Sequence, residues 1–135
     1  MQANDPIIPI KVTDNVQVTG NFSVASKVGD HVIANDIEKG LLAWGEDLES
    51  IGIKEENIVS ITGDSINKFY FSDKRKIYCV EKGNEFTSYV VYESRKGDSI
   101  NYILVKNNTL VICYHKRSLA TFLKPEKTVN NEQST

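Results

Sequence analysis

From residue 57 onward the chain repeats one pattern: a short run rich in Ile, Val, Phe and Tyr, then a connector made of turn residues. The connectors are Gly63-Asp64-Ser65, Ser72-Asp73-Lys74-Arg75, Lys82-Gly83-Asn84-Glu85, Arg95-Lys96-Gly97-Asp98 and Asn107-Asn108. Strands joined this tightly must return antiparallel, because a parallel crossover consumes about ten residues or more. Strands are predicted near 57–62, 66–72, 76–82, 86–94, 99–106 and 109–115, forming a five- to six-stranded antiparallel meander.

These strands do not alternate cleanly. Phe86, Ser88, Val90 and Tyr92 share one face of their strand, and Thr87, Tyr89, Val91 and Glu93 share the other; Ile100, Tyr102 and Leu104 stand opposite Asn101, Ile103 and Val105. A sheet with one wet face separates apolar from polar more sharply, so the pattern predicts cover on both sides.

One cover is predicted to be a helix over 36–51. Ile37, Leu41, Trp44, Leu48 and Ile51 recur at steps of four, three, four and three, which lays a single apolar stripe along a helix. Asn35 with Glu38 has the form of a capping box, and Gly52 stands where a left-handed closing residue is wanted. Gly40 and Gly45 inside the span each cost about 1 kcal/mol against Ala, so such a helix needs a sheet to lie on.

Upstream, 22–28 and 31–34 read as a hairpin around Gly29-Asp30, and 7–12 and 16–18 are further strand candidates, the first confined to an edge by Pro9. Downstream, Ser118 is placed to cap a short last helix carrying Leu119, Phe122 and Leu123, stopped by Pro125. The expected fold class is therefore α+β, mostly β. The 135 residues form one domain, 1–135, with an ordered core over about 7–124 and a disordered polar tail over 125–135.

Charge is divided along the chain. Residues 1–64 hold four lysines against eleven acids, a net of −7, and residues 65–135 hold twelve bases against seven acids, a net of +5. The expected outcome is that the halves pack together and their charges intersperse. Cys79 and Cys113 lie far apart in apolar runs and fit reduced thiols; with no leader-like start and no apolar run of about 18 residues, a cytoplasmic protein without membrane contact is expected.

Motifs for chemistry are missing from the sequence: there is no phosphate-binding glycine loop, no G-x-S-x-G elbow and no H-E-x-x-H pair. Cys113 and His115 are two residues apart, as a nucleophile and its base would be on a strand, but no orienting acid pattern accompanies them. Cys79, Cys113, His31 and His115 lack the paired spacing of a local zinc site. No catalytic residue, metal or cofactor is therefore expected, and the balance leans away from an enzyme.

What remains is recognition. The strand tyrosines with nearby turn bases, Tyr89, Tyr92, Tyr102, Arg95 and Lys96, are the expected binding residues, because Tyr and Arg anchor protein interfaces. The acidic residues Glu46, Asp47 and Glu49 are the alternative face, suited to steering a basic partner. The expected function is a small non-enzymatic protein-binding or regulatory module, such as an inhibitor, an immunity-type protein or a phage or accessory-element protein. A small-ligand cup made by a curved sheet around the helix, with or without enzymatic activity, and a self-assembling subunit are the other readings. The expected partner is another protein or a second copy; nucleic acid is not expected, because the net charge is −2 and the bases cluster at turns.

Overall fold

The computed structural model describes residues 20–116 and 120–124. Eleven strands run in order: β1 (Phe22–Val28), β2 (His31–Asp36), β3 (Gly40–Trp44), β4 (Leu48–Ser50), β5 (Ser60–Ser65), β6 (Lys68–Ser72), β7 (Lys76–Lys82), β8 (Phe86–Glu93), β9 (Ile100–Lys106), β10 (Thr109–Tyr114) and β11 (Ala120–Leu123). They make three antiparallel sheets: an N-terminal sheet β1-β2-β3-β4, a central sheet β5-β6-β7-β8 and a C-terminal sheet β11-β10-β9. The described residues contain no helix, so the fold is all-β and not α+β.

Turn chemistry accounts for the hairpins. Gly29 at φ 59° supplies the first central residue of the two-residue β1–β2 turn, and Asn107 and Asn108, at φ 51° and 61°, supply both central residues of the β9–β10 turn. Between β6 and β7, the Asp73 carboxylate accepts the N–H groups of Arg75 and Lys76 at 2.7 and 2.6 Å.

The segment read as a helix over 36–51 is instead the end of β2, all of β3 and β4, and their turns. Its opening imitates a helix start, because Asp36 Oδ1 accepts the N–H groups of Glu38 and Lys39 at 2.8 and 3.0 Å. Gly40 then adopts φ 89° and turns the chain back, in a place where a Cβ would run into the Ile53 carbonyl oxygen. Leu41, Leu42 and Ala43 are buried in succession, which a strand covered on both faces allows and a one-striped helix does not. Ile37, Trp44 and Leu48, which the stripe would have buried, are 55%, 38% and 47% exposed.

The predicted meander is also divided. β7 falls where expected and β5, β6, β8, β9 and β10 lie within a few residues of their expected ranges, but β8 and β9 do not pair. The chain leaves β8 with Ser94 N–H bonded to Arg75 O at 2.7 Å, enters β9 with Ile100 N–H bonded to Lys74 O at 2.8 Å, and so crosses to a separate sheet. The short last helix is not found either: Phe122 and Leu123 belong to β11, paired with β10. Ser118, Leu119 and Pro125, the strand candidates over 7–12 and 16–18, and the tail over 125–135 lie outside the described residues.

Two cores explain the layering. Val28, Ile33, Leu41 and Ala43 of the N-terminal sheet pack with Ile61, Phe69, Phe71 and Val80 of the central sheet. On the opposite side of the central strands, Tyr70, Ile77 and Cys79 pack with Ile100, Ile103, Leu110, Ile112 and Tyr114 of the C-terminal sheet. Two-sided cover thus falls on β6 and β7, supplied by one sheet on each side, and not on β8 and β9, where the sequence pattern predicts it: Val90, Tyr102 and Leu104 are exposed. The second joint is tied by hydroxyls: Ser60 Oγ accepts the Ile103 N–H at 2.9 Å and Thr62 Oγ1 accepts the Val105 N–H at 3.0 Å, so edge strand β9 finds partners across the layer.

Candidate functional site

The three layers differ in charge. Over residues 22–50 the N-terminal sheet carries Lys27 and Lys39 against six acids, a net of −4. The central sheet, residues 60–93, carries five bases and five acids. The C-terminal sheet, over 100–116 and 120–124, carries Lys106, Lys116 and Lys124 and no acid. The halves do not intersperse their charges; the imbalance in the sequence becomes an acidic outer layer and a basic outer layer.

The outer face of the C-terminal sheet is built by strand alternation. Inward-facing Ile103, Val105, Leu110, Ile112 and Leu123 fill the core, which turns Tyr102, Leu104, Val111, Cys113 and Phe122 outward. Register aligns them in two rows, Leu104–Val111–Phe122 and Tyr102–Cys113. Tyr102, Leu104 and Phe122 are 43%, 54% and 72% exposed. An apolar band across three strands at the surface is the kind of patch that marks a contact site. The N-terminal sheet carries a comparable outer row, Lys27–Val32–Trp44–Leu48, all of it exposed.

The expected binding residues are dispersed over this architecture. Tyr89 is half-buried against the second core, where burial first and then a bond to Cys79 raise its hydroxyl pKa. Tyr92 is also half-buried there, its hydroxyl 2.7 Å from that of Tyr114, and burial followed by that bond pushes it up to about 12. Arg95 and Lys96 are exposed in the crossing between β8 and β9. Only Tyr102 lies on the outer face; Leu104, Val111 and Phe122 beside it are absent from the expectation. The one legible signal for them was the two-sided apolar pattern of 99–106 and 109–115, which by itself assigns no side to the outside.

The acidic alternative, Glu46, Asp47 and Glu49, does converge. With His31 and Gly45 these residues line an open depression of about 360 Å³ at the β3–β4 turn; Glu49 is paired with Ala43 and His31 with Val28, so these two face the side of the sheet away from the Trp44–Leu48 row. A ligand cup around a helix falls with the helix. A different, open cleft of about 600 Å³ lies between β1–β2 and residues 54–59, with Ser23, Asn35, Ile37, Lys54, Ile58 and Lys74 among its lining. Asn35 Nδ2 donates to Ser23 Oγ there at 3.0 Å.

Cys79 and Cys113 are both free thiols, the first buried between layers and the second half-exposed on the outer C-terminal face. His115 follows the end of β10 and is exposed. Among the described residues no group of three or more His, Cys, Asp or Glu could hold a metal, and no helix is long and apolar enough to cross a membrane.

Fold and surface define a three-layered antiparallel β protein with oppositely charged outer sheets. No protein-family model, curated protein or solved structure matches the chain.

Proposed function

We propose that this chain is a protein-binding module that engages its partner through the outer face of the C-terminal sheet. The observation that carries the reading is the row Leu104–Val111–Phe122, whose end members are 54% and 72% exposed while the inward residues Ile103, Leu110 and Ile112 of β9 and β10 are buried. A mixed aliphatic and aromatic centre ringed by a few charges is the composition of a recognition surface. Tyr102, in the neighbouring row, adds an anchor with a polar tip.

The test compares wild type with the pair Leu104→Ser and Phe122→Ser in pull-downs from the cell extract of the source organism, followed by reconstitution with the purified captured protein. Binding by wild type that weakens at least about 30-fold in the variant, corresponding to about 2 kcal/mol at a hot spot, supports the reading. Equal binding by both would overturn it. So would capture of single-stranded oligonucleotides that the same substitutions abolish, because the site would then serve nucleic acid.

A further inference from the structure

We infer that the open cleft beside β1 and β2 binds an adenine nucleotide, with the Asn35 carboxamide reading the edge of the base. This site goes beyond the protein-binding reading and shares no residue with the C-terminal face. Asn35 is a polar residue at a core position: its cross-strand neighbours Val24 and Leu41 both pack in the first core, and only 4% of its surface is exposed. Its Nδ2 donates to Ser23 Oγ at 3.0 Å, whereas its Oδ1 is buried with no hydrogen-bond partner among the described residues. A buried acceptor left unpaired costs stability that an aliphatic side chain in the same place would not, so a carboxamide there calls for a donor from outside the chain.

The cleft supplies the rest of a site. Its volume of about 600 Å³ lies within the range of about 300–1,000 Å³ that small-molecule pockets occupy. Ile58 of the first core and Ile37, which is 55% exposed, give it apolar walls against which a flat ring can lie. The irregularity of β1 between Phe22 and Val24 falls at Ser23, which is exposed and lines the cleft, so Ser23 can follow the small turn of the carboxamide that brings Oδ1 to a ligand.

Chemistry selects the ligand. With one Nδ2 hydrogen given to Ser23, Asn35 retains Oδ1 and the other Nδ2 hydrogen, an acceptor beside a donor. That pair matches the N6 amine and N7 of adenine, which an Asn carboxamide takes in bidentate fashion. Lys54 and Lys74 reach the cleft from different connectors and suit a phosphate group. Glu55 and Glu56 share the lining and are acceptors for sugar hydroxyls, and they balance the lysines so that a ligand of low charge is favoured. A nucleoside monophosphate carries all three features: a base edge, hydroxyls and one phosphate.

Isothermal titration calorimetry of the full chain with adenosine 5′-monophosphate tests the site. Wild type is expected to bind it with a Kd of about 0.5 mM or tighter, and to bind ribose 5-phosphate at least about tenfold more weakly, because the sugar phosphate lacks the base edge. Asn35→Leu is expected to fold with a melting temperature no lower than that of wild type and to lose at least about tenfold in affinity. Should Asn35→Leu fail to fold, the exposed pair Lys54→Gln with Lys74→Gln takes its place; it is expected to weaken the nucleotide at least about fivefold and to leave the binding of adenosine within about twofold of wild type. Absence of binding by wild type overturns the inference, as does ribose 5-phosphate binding as tightly as the nucleotide, which would make the lysines an unspecific anion contact. Equal affinity for uridine 5′-monophosphate would overturn the adenine edge. A folded Asn35→Leu that binds like wild type, or a lysine pair whose loss changes nothing, would count against the site in the same way. Each of these outcomes leaves the C-terminal face to its own pull-down test.

Discussion

The hydroxyls of Tyr92 and Tyr114 lie 2.7 Å apart, joining the last strand of the central sheet to the middle strand of the C-terminal sheet. Tyr114 passes the connection to Thr121 Oγ1 at 2.8 Å, so three strands in two layers share one hydroxyl chain. Tyr92, a natural interface candidate by residue type, here ties two layers together. Tyr92→Phe is expected to cost about 1 kcal/mol in urea denaturation, whereas Tyr102→Phe, on the outer face, stays within about 0.5 kcal/mol. The reverse order would place Tyr102 in the joint and Tyr92 outside it.

Ser60 is the second tie. Its hydroxyl meets the N–H of Ile103, which is 1% exposed and has no neighbouring strand on that side in its own sheet. Ser60→Ala leaves that N–H buried without an acceptor and is expected to cost about 1–3 kcal/mol. Faster hydrogen exchange at the Ile103 amide would accompany the loss; unchanged exchange would show that the bond is not what protects it.

Gly40 discriminates the sheet from a helix by the sign of one substitution. In a helix interior Gly→Ala gains about 1 kcal/mol. Here Gly40 sits at φ 89° where an added Cβ would run into the Ile53 carbonyl oxygen, so Gly40→Ala is expected to lose about 2 kcal/mol or more in thermal or urea unfolding.

Acid should act through Asp36. The N–H groups of Lys39 and Glu38 hold its carboxyl below the usual 3.8. A carboxyl depressed in the folded state contributes stability in full above its unfolded value near 3.9, and loses that contribution as pH falls through the lower folded value. Thermal melts between about pH 5 and 2 are expected to show this limb in wild type and a shallower one in Asp36→Asn, which keeps an acceptor oxygen that does not titrate. Identical limbs would remove Asp36 from the cause.

Local chemistry made half of this fold legible. Gly29-Asp30 and Asn107-Asn108 encode their turns within two residues, and β7 emerges whole from its own pattern. The 36–51 segment misleads because Asp36 caps the amides of Glu38 and Lys39 much as it would at a helix start; the decision rests with Gly40 and its neighbour Ile53, thirteen residues on. The break between β8 and β9 is likewise set by bonds to Arg75 and Lys74, which leave no mark on residues 94–100 themselves. For the surface, alternation put Tyr102 and Leu104 on one face of β9 but also Ile100, which the irregularity opposite Cys113 and Tyr114 turns into the core, and an apolar residue facing out reads the same as one facing in. Which side faces water was set by the layer that packs beneath.

Cys113 offers the most direct measurement of where the partner docks. It is half-exposed in the Tyr102 row of the outer C-terminal face, while Cys79 is fully buried and slow to react. In a Glu85→Cys variant, the added thiol in the β7–β8 connector serves as the internal reference. Its alkylation and that of Cys113 are followed by mass spectrometry with and without the captured partner. The expected result is that partner binding slows Cys113 alkylation at least about fivefold relative to the reference thiol at position 85. An unchanged ratio in a complex that has demonstrably formed would contradict docking on the C-terminal sheet.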